Sequence, residues 1–401
     1  MTPARGLTIA VIGAGAMGRI VVKDLLETAP DGTLVVVCDV DRRRLREIAT
    51  SRPKRTTRVR VKPMVVDAHN AAATTRLLKS VGAFGVINAA QHHFNLAVMD
   101  AAHRARVHYC DLGGLFHVTR KQIVRHQAWK KIDRLAVLGM GAAPGIVNVL
   151  ARSAADTMDE VSEIHISVGS VDAPAVAGPP IAVSYSIQTV IEEATQNAAL
   201  FTDGKLTFVP PLSHAVQVDF PAPVGRKWPA CTIHSELATL PPSYKSKGLR
   251  ECSFRIAFAD ALLDRLIFMR AAGLFSERPV PVRGTPVTPR DVVLAALRAQ
   301  PSPPPSRLEA EYEILRVVIR GTRGGQAIEE TVDCHTPAKV DWGIGSDLNT
   351  GSPPSIVMQM LACGEITARG CVPPERAVPA EAFFKQLAQR GMSIRRDLRA
   401  S

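Results

Sequence analysis

The sequence predicts an α/β protein with a doubly wound parallel sheet at its N-terminus, a mixed α+β domain after it, and a helical C-terminal segment. Three observations lead to this fold class. Short apolar runs alternate with amphipathic stretches over residues 7–141, which is typical of a parallel sheet with helices on both faces. After about residue 160 the pattern changes toward period-two alternation, which favours antiparallel strands. Helical spacing returns in PSIVMQMLACGEI, and we expect this tail to pack back on the first domain.

The first domain has six predicted strands, each a short apolar run that suits a strand buried on both faces. They cover residues 7–13, 34–40, 61–68, 84–90, 107–113 and 135–141. The helix after the first strand carries an apolar face, as an amphipathic helix does, formed by Met17, Ile20, Val21 and Leu25. Further helices are predicted at 41–50, 70–81, 94–105 and 118–132.

The second domain has strands predicted at 163–170, 214–220, 231–240, 251–259, 312–321 and 327–334, and helices at 186–201 and 260–273. RGTRGGQ, residues 320–326, favours a hairpin turn between the last two strands. PSPPPSR, residues 301–307, indicates a surface loop. The chain is thus divided into residues 1–150, 151–345 and 346–401.

Several classes of protein are disfavoured by composition. No stretch of about 18 uncharged apolar residues occurs, which argues against a membrane-spanning helix. The start, MTPARGLTIAVIG, leads almost directly into a strand and lacks the parts of a signal peptide, so we expect a cytoplasmic location. The seven cysteines are scattered without a CxxC pair and favour free thiols.

The net charge is +12, and ten Lys or Arg residues lie between Arg42 and Lys62. Few aromatic residues are interleaved with them, so a solvated helix face explains the cluster better than nucleic-acid binding does. A basic surface would still attract anionic substrates. The histidines include no HExxH motif, and the adjacent His92 and His93 point in different directions, so no metal site is predicted.

A dinucleotide-binding loop is predicted in IAVIGAGAMGRIVVKDLL, residues 9–26. Its GxGxxG motif follows an apolar strand and opens a helix, and an acidic residue ends the next strand, which completes the Rossmann fingerprint. Gly13 permits the tight turn, Gly15 lets the backbone approach the pyrophosphate, and Gly18 allows close packing of helix on strand. The helix N-terminus supplies free N–H groups for the phosphates. The predicted cofactor-binding residues of this region are Gly13, Gly15, Ala16, Met17, Gly18, Asp39, Asp67, Asn88 and Ala89.

The choice between NAD and NADP depends on the end of the second strand. Asp39 lies 21 residues beyond Gly18 and would accept hydrogen bonds from the adenosine ribose, which favours NAD. Arg42 and Arg43 follow closely, and either could bind a 2′-phosphate. NADP therefore stays open as the alternative cofactor.

A second glycine loop stands in VLGMGAAPGIVNVLA, residues 137–151. Pro144 replaces the third fingerprint glycine and suits the first turn of a helix. No acidic strand end follows at the right distance, so a second nucleotide site is not predicted. We expect Gly139, Gly141 and Pro144 to lie against the nicotinamide at the carboxyl edge of the sheet, where open α/β folds bind ligands. A plain turn between domains is the alternative.

Four segments resemble the saccharopine dehydrogenase (reductase-type) family, and within it most closely the lysine 6-dehydrogenase branch. They are NAAQHHFNLAVMDAAHRARVHYCDLGG, GMGAAPGIVNVLA, HSELATLP and MLACGEITARGCVPPERAVPAEAFFKQLAQRG. The resemblance runs along nearly the whole chain, and HYCDLGG, GxAPGxxN and GEI…PPE are its most specific pieces. It implies a Rossmann domain, an inserted α+β substrate domain, a C-terminal segment that returns to the first domain, and a homodimer.

The resemblance also implies NAD(P)-dependent chemistry at a carbon–nitrogen bond of a lysine-related amino acid or a polyamine precursor. We expect oxidative deamination of the ω-amine of a lysine-like amino acid to a semialdehyde. One alternative is a saccharopine-type or carboxynorspermidine-type reductase, which joins an amine to an aldehyde through an imine. Another is a catalytically inactive NAD(P)-binding regulator, because a fold does not fix an activity.

Such chemistry needs a base for the amine proton and a cationic or hydrogen-bonding group for the substrate carboxylate. Candidates for the base are His234 and Glu236, which would share one face of a strand in TIHSELATLP, and Asp111 in HYCDLGG. Alternatively, these residues have no catalytic role: Asp111 is buried and caps a loop, and His234 and Glu236 face the solvent. Further candidates for hydrogen bonding or charge are Tyr109, Asn148, Tyr185, Gln188, Glu192, Arg226, Lys227 and Arg250.

Overall fold

The structure is a computed structural model that describes residues 6–51, 57–171, 186–300 and 308–400. In this part of the chain the first sheet has seven parallel strands, which confirms the predicted doubly wound α/β domain. Its strands are β1 (Thr8–Ile12), β2 (Leu34–Asp39), β3 (Arg60–Val65), β4 (Gly85–Asn88), β5 (His108–Asp111), β6 (Leu135–Val137) and, from the C-terminal segment, β18 (Gly370–Val372). Their spatial order is β18-β6-β5-β4-β1-β2-β3.

Helices connect these strands and cover the sheet. They are α1 (Ala16–Thr28), α2 (Arg42–Ala49), α3 (Ala71–Ser80), α4 (Asn95–Ala105), α5 (Leu115–Ile123), α6 (His126–Lys131) and α7 (Ile146–Ala155). All five residues of β1 are buried, as its apolar sequence predicts for a central strand. The single helix predicted at 118–132 is in fact two, α5 and α6, because the chain turns at Val124 and Arg125.

The second sheet is mixed and has eight strands among the described residues. They are β7 (Glu160–Val171), β8 (Ala198–Thr202), β9 (Lys205–Val209), β12 (Ala230–Cys231), β13 (Glu251–Ile256), β16 (Tyr312–Arg323), β17 (Gln326–Pro337) and β19 (Ser393–Ala400). The order is β19-β17-β16-β7-β13-β8-β9, with β12 paired to β13. Two small hairpins accompany the sheet, β10 (Val218–Asp219) with β11 (Arg226–Lys227), and β14 (Val280–Val282) with β15 (Thr285–Val287). The turn predicted in 320–326 is confirmed, since Arg323 pairs with Gln326 around two glycines.

Three elements of this domain differ from the prediction. The predicted strand 231–240 ends at Cys231 and is followed by a helix, α9 (Glu236–Tyr244). Every residue from 231 to 240 is buried, so the alternation of polar and apolar residues there does not mark one solvated face. The helix predicted at 186–201 is α8 (Ile187–Thr195) followed by β8, and of the strand predicted at 214–220 only Val218–Asp219 is formed. The remaining helices are α10 (Asp260–Ala271) and α11 (Pro289–Ala299); the surface loop predicted at 301–307 lies outside the described residues.

The C-terminal segment joins the first domain, as predicted, through α12 (Leu348–Ala362), β18, α13 (Pro374–Ala377) and α14 (Ala380–Gln389). Helix α12 packs so closely on α1 that a Cβ at Gly351 would lie 2.4 Å from Ile20. The buried guanidinium of Arg390, just after α14, donates hydrogen bonds of 2.6 and 2.9 Å to Asp24 of α1. The final strand β19 departs from the predicted helical tail, because it pairs with β17 at the edge of the second sheet.

One apolar core extends through both sheets. It includes Val11 and Val137 of the first sheet, Val149 of α7, and Ile166 and Val317 of the second sheet. The limits 1–150, 151–345 and 346–401 therefore stay a prediction, since burial is continuous across them. Among the described residues, the helices are all too short or too polar to cross a bilayer.

Candidate active site and cofactor loop

The first glycine loop has the geometry that a dinucleotide requires. Gly13 has a φ of +100°, and a Cβ there would lie 2.8 Å from the backbone nitrogen of Ala90. A Cβ at Gly18 would lie 1.9 Å from the carbonyl oxygen of Gly13, so only glycine lets α1 pack on β1. Gly15 is different, because the nearest atom to a Cβ there is Arg44 Nη1 at 4.0 Å. That open space, at the N-cap of α1, leaves room for a pyrophosphate against free N–H groups.

The carboxylate of Asp39 holds this loop in place. Its Oδ2 accepts a hydrogen bond of 2.7 Å from the Ala14 N–H, and its Oδ1 accepts one of 2.9 Å from the Asp41 N–H. Of the arginines that follow, Arg43 pairs with Glu47 at 3.3 Å. Arg44 pairs with Asp41 at 3.4 Å and reaches toward Gly15. Arg44 was not among the predicted phosphate ligands, yet it lies closer to the loop than the rest of the side chains around Gly15.

The other residues predicted to bind cofactor are spread around the loop. Ala16 and Met17 form the first turn of α1. Asn88, at the end of β4, is buried and donates a hydrogen bond of 2.8 Å to Asn95, and Ala89 lies directly beneath Gly13. Asp67 follows β3, which is separated from β4 by β1 and β2, and accepts a hydrogen bond of 2.9 Å from the His69 N–H.

Asp111 anchors the second glycine loop. Its fully buried carboxylate accepts four hydrogen bonds, from the side chains of Tyr109 (2.8 Å) and Gln122 (2.6 Å) and the N–H groups of Gly113 (3.1 Å) and Gly139 (2.7 Å). Burial raises the pKa of Asp111, and these hydrogen bonds oppose that rise. Both oxygens and the Tyr109 hydroxyl are thus engaged within the protein, which favours the loop-capping role over that of a base.

A second buried network holds the other end of the same loop. Asn148 accepts a hydrogen bond of 2.9 Å from the Gly145 N–H and donates one of 2.9 Å to Glu375. Ser243 of α9 donates to the same Glu375 at 2.9 Å. The segments HYCDLGG, GxAPGxxN and PPE therefore meet around residues 139–145, because each contributes a residue to these networks.

The expectation that Pro144 opens a helix is wrong. Helix α7 begins at Ile146, with Gly145 as its N-cap, and Pro144 lies in the preceding turn. Its ring packs on two glycines, since a Cβ at Gly139 or Gly113 would lie 2.6 or 2.9 Å from Pro144 Cγ. Gly141 closes the turn by donating its N–H to the Pro144 carbonyl at 2.7 Å. The loop is held by these contacts at the carboxyl edge of the first sheet, directly after β6.

His234 and Glu236 come together in a buried pair. The Nδ1 atom of His234 lies 2.5 Å from Glu236 Oε2, and the imidazole stacks on Phe254 with ring centroids 3.7 Å apart. The two residues do not share a strand face as predicted, since His234 precedes α9 and Glu236 begins it. Burial disfavours the imidazolium, but Glu236 and then Glu193 outweigh this and raise the pKa of His234.

Helix α8 brings two more carboxylates to this place. Glu193 Oε1 lies 3.7 Å from His234 Nε2, and Glu192 Oε2 lies 3.3 Å from His92 Nε2. Gln188 donates to Glu192 at 3.3 Å, so the helical pair suggested by the sequence does form. Burial raises the pKa of Glu192 and lowers the pKa of His92.

This histidine–glutamate cluster (His92, Glu192, Glu193, His234, Glu236) lies beside the first sheet. His92 lies four residues after the end of β4. Ser235, next to His234, accepts a hydrogen bond of 3.3 Å from the Gly114 N–H, just after β5. The cluster therefore lies at the carboxyl ends of the central strands, where a doubly wound sheet binds ligands.

The remaining candidates lie elsewhere. Tyr185 is outside the described residues. Arg226 and Arg250 pair with Asp219 and Asp203 on exposed parts of the second domain, and Lys227 adjoins Arg226 on a hairpin. Glu193 and Glu375 were not predicted from the sequence, and His92 was considered only as a metal ligand. Glu193 could have been predicted, because it directly follows the predicted Glu192. Nothing in the sequence indicates that Glu375 is a partner of Asn148. Among the described residues there is no cluster of side chains suited to hold a metal ion.

Comparison with known proteins covers most of the chain. The family model of the saccharopine dehydrogenase NADP binding domain matches residues 9–137, and that of the saccharopine dehydrogenase C-terminal domain matches residues 141–392. A carboxyaminopropylagmatine dehydrogenase of Synechocystis is 25% identical over 96% of each chain. A carboxynorspermidine synthase of Vibrio cholerae is 26% identical, and the match covers 65% of this chain and 64% of that enzyme.

The fold is also that of a solved structure. Saccharopine dehydrogenase (L-Glu forming) from Saccharomyces cerevisiae superposes with a TM-score of 0.70 over 98% of this chain and 100% of the yeast chain. The two sequences are 15% identical, so this likeness concerns the fold alone.

Proposed function

Because the chain belongs to the saccharopine dehydrogenase family of NADP-binding oxidoreductases, we propose that it makes or breaks the C–N bond between a cationic amine and an amino-acid-derived carbon. In the reductive direction a primary amine condenses with an aldehyde, and the imine is reduced to a secondary amine. This is the condensing reaction that the sequence analysis kept as its alternative. The observation that carries the proposal is the histidine–glutamate cluster at the carboxyl edge of the first sheet.

The charges of the cluster favour a cationic amine. Three buried carboxylates, Glu192, Glu193 and Glu236, face two imidazoles. When the imidazoles are neutral, the cluster carries excess negative charge in a site of low dielectric constant, which a substrate ammonium would offset. A second anionic group would be repelled there, so we expect the amine rather than the carboxylate of the substrate at this place.

His234 is suited to take the proton from that ammonium. Glu236 fixes the ring through Nδ1, which leaves Nε2 on the side of Glu193. Transfer of the proton to Nε2 frees the nitrogen lone pair to attack the aldehyde carbon, and the aldehyde oxygen leaves as water once the imine forms. Phe254 holds the plane of the ring, so the imidazole keeps this orientation throughout.

The residues of the first glycine loop fit the cofactor. Gly15 leaves the space that a pyrophosphate needs, and Asp39 fixes the turn around it. When bound, the nicotinamide supplies or accepts the hydride at the carbon–nitrogen bond. The loop at 139–145, held by Asp111 and Asn148, gives the ring a rigid surface to lie against.

Two relatives support the condensing reaction over deamination of lysine. Both are named for a carboxylated polyamine or agmatine derivative, and one matches along nearly the whole chain. The second candidate is oxidative deamination of a lysine-like ω-amine, which the resemblance of HYCDLGG and its neighbours to the lysine 6-dehydrogenase branch favours. The homodimer and the cytoplasmic location stay predictions.

The test is an absorbance assay at 340 nm with NADPH or NADH, amino-acid semialdehydes and a set of amines. The amines should include agmatine, diaminopropane, putrescine and lysine. Oxidation of reduced cofactor that requires both aldehyde and amine is the expected result. Reduction of NAD or NADP by lysine alone would establish the second candidate instead. Cofactor binding by calorimetry without turnover of any pair would contradict both and leave a cofactor-binding regulator.

A further inference from the structure

The outer face of the second sheet carries a row of polar residues in register. Arg255 of β13 lies opposite Ser167 of β7, which lies opposite Arg316 of β16. Arg316 in turn lies opposite Asp333 of β17, and Asp333 opposite Arg395 of β19. Residues directly opposite each other on paired strands project from the same face. These five residues, the arginine row, therefore cross five adjacent strands on one side of the sheet.

A groove runs between this row and the β10–β11 hairpin. The hairpin covers one end of the sheet face through Phe220, whose ring lies 5.3 Å from the Arg316 guanidinium. Phe220 also packs on β7, since a Cβ at Gly169 would lie 2.7 Å from it. The groove measures about 780 Å³ and is lined by the arginine row, by His165 and by the hairpin. It is large enough for a small molecule.

The carboxylates that line the groove are already neutralised. Each lies between 2.6 and 2.8 Å from an arginine nitrogen, in the pairs Arg316–Asp333, Arg226–Asp219, Arg320–Glu329 and Arg399–Asp397. Arg255 and Arg395 have no carboxylate partner among the described residues. The groove therefore has excess positive charge, which attracts anions.

Two polar groups at one end of the row are open to a ligand. Arg255 donates hydrogen bonds to the His214 carbonyl at 3.0 Å and to the Ser253 hydroxyl at 2.5 Å, and both acceptors are uncharged. Its neighbour Ser167 is 7% exposed, and within the described residues its hydroxyl makes no hydrogen bond. Among the described residues this hydroxyl is not one of the fully buried side-chain atoms without a partner, so it reaches the groove and can donate a hydrogen bond to a ligand there.

We propose that Arg255 and Ser167 bind a small oxyanion of the phosphate type. The planar guanidinium presents paired donors that match two phosphate oxygens, and the serine hydroxyl can donate to a third. Arg395, which has no carboxylate partner among the described residues, contributes positive potential along the same row. The site is separate from the histidine–glutamate cluster, because Phe254, on the opposite face of β13, is the residue that stacks on His234. A bound anion therefore leaves the substrate position free.

The test is calorimetric titration of inorganic phosphate into the full chain at constant ionic strength. We expect saturable binding that R255Q weakens about tenfold or more, as loss of a charged hydrogen bond does. S167A keeps every charge and should weaken binding by a smaller factor. R399Q is the matched control, because it removes one arginine from the same face but from another row, and it should change the dissociation constant less than about twofold.

Three results would overturn the proposal. They are the absence of saturable binding to the folded wild-type chain, equal weakening by R255Q and R399Q, and a change of molecular mass by light scattering in R255Q. The second would show a general charge effect, and the third would show that a second copy of the chain covers this face. Thermal unfolding of R255Q and S167A shows whether each variant is folded. If R255Q does not fold, the effect of S167A on phosphate binding tests the proposal by itself.

Discussion

The Nδ1 atom of His234 lies 2.5 Å from Glu236 Oε2, although the backbone changes from an extended stretch to a helix between the two residues. The contact joins a buried imidazole to a carboxylate that is 0% exposed. In this arrangement the glutamate determines both the orientation of the ring and the ease with which it takes a proton. The first two predictions concern these two roles.

Replacement of His234 by asparagine should reduce turnover about 10²- to 10⁴-fold, which is the usual contribution of a positioned acid or base. Cofactor affinity should stay unchanged, because the ring contacts Glu193, Glu236 and Phe254, none of which belongs to the first glycine loop. Steady-state kinetics and NADPH titration by fluorescence measure the two effects. H126N is a suitable control, since His126 binds the Cys371 carbonyl at the far edge of the first sheet. Equal loss of turnover in both variants would contradict the assignment of His234.

E236Q should shift the acid limb of the pH profile of kcat/KM to lower pH. Burial opposes the charge on His234, but Glu236 outweighs burial and raises the pKa of the imidazole. The neutral base therefore appears only as pH rises through that raised pKa, and loss of the carboxylate lowers the pKa. By the same linkage, the stability that the imidazolium adds is full below the ordinary histidine pKa and is lost as pH rises through the raised one. E160Q, at an exposed position, should leave the profile where it is.

Arg44 should determine the preference for NADPH over NADH. It lies 4.0 Å from the Cβ position of Gly15, near the ribose-binding end of β2. We expect R44Q to raise the dissociation constant of NADPH about 10- to 100-fold and that of NADH much less, because a charged hydrogen bond to a 2′-phosphate is lost. R43Q is the control on the same helix. An equal effect of R44Q on both cofactors would indicate that Arg44 contacts the pyrophosphate, which both cofactors share, and not the 2′-phosphate.

Two glycine substitutions should separate folding from cofactor binding. In G18A the new methyl group would lie 1.9 Å from the Gly13 carbonyl, so we expect a loss of stability of about 1–3 kcal/mol, as in other overpacked sites. In G15A the methyl group points into open space, so stability should hold while cofactor affinity falls. Denaturant unfolding and cofactor titration measure the pair. A G15A variant that binds cofactor normally would mean that the pyrophosphate does not approach Gly15.

R390M should destabilise the protein by about 3–5 kcal/mol, the usual cost of leaving one member of a buried ion pair unpaired. Asp24 is 0% exposed and loses its two hydrogen bonds to the guanidinium. The double variant D24N/R390M should recover part of that loss, because it removes the uncompensated charge. If R390M has the same denaturant midpoint of unfolding as the wild type, the Arg390–Asp24 pair does not hold the C-terminal segment to α1.

The first glycine loop was predictable from the sequence because its constraints are local. Gly18 is required by a backbone contact within a single strand–turn–helix unit, Gly13 has a positive φ in its turn, and Asp39 lies at the end of the neighbouring strand. Strand β1 was equally clear, since a central strand of a parallel sheet has to be apolar on both faces. Such requirements appear in any sequence that adopts this unit.

The active-site cluster was only partly predictable because its members come from three separate segments. His92 and Glu192 are 100 residues apart, and neither has a local reason to be polar and buried. The pairing of Asn148 with Glu375 depends on how the C-terminal segment returns, which no pattern near either residue reveals. The strand predicted in TIHSELATLP was wrong for a further reason. All residues of this segment are buried, so there is no contrast between a polar and an apolar face for a periodic pattern to show.

The first sheet is completed by β18, which the chain supplies only at residues 370–372. On the ribosome, an emerging N-terminal domain therefore has six of its strands but leaves β6 as a bare edge until the rest of the chain has been made. An open strand edge is where wrong partners add during synthesis. We expect the nascent chain to depend on chaperones that shield this edge. A fragment that stops before residue 370 should aggregate, even though it contains the entire dinucleotide fingerprint.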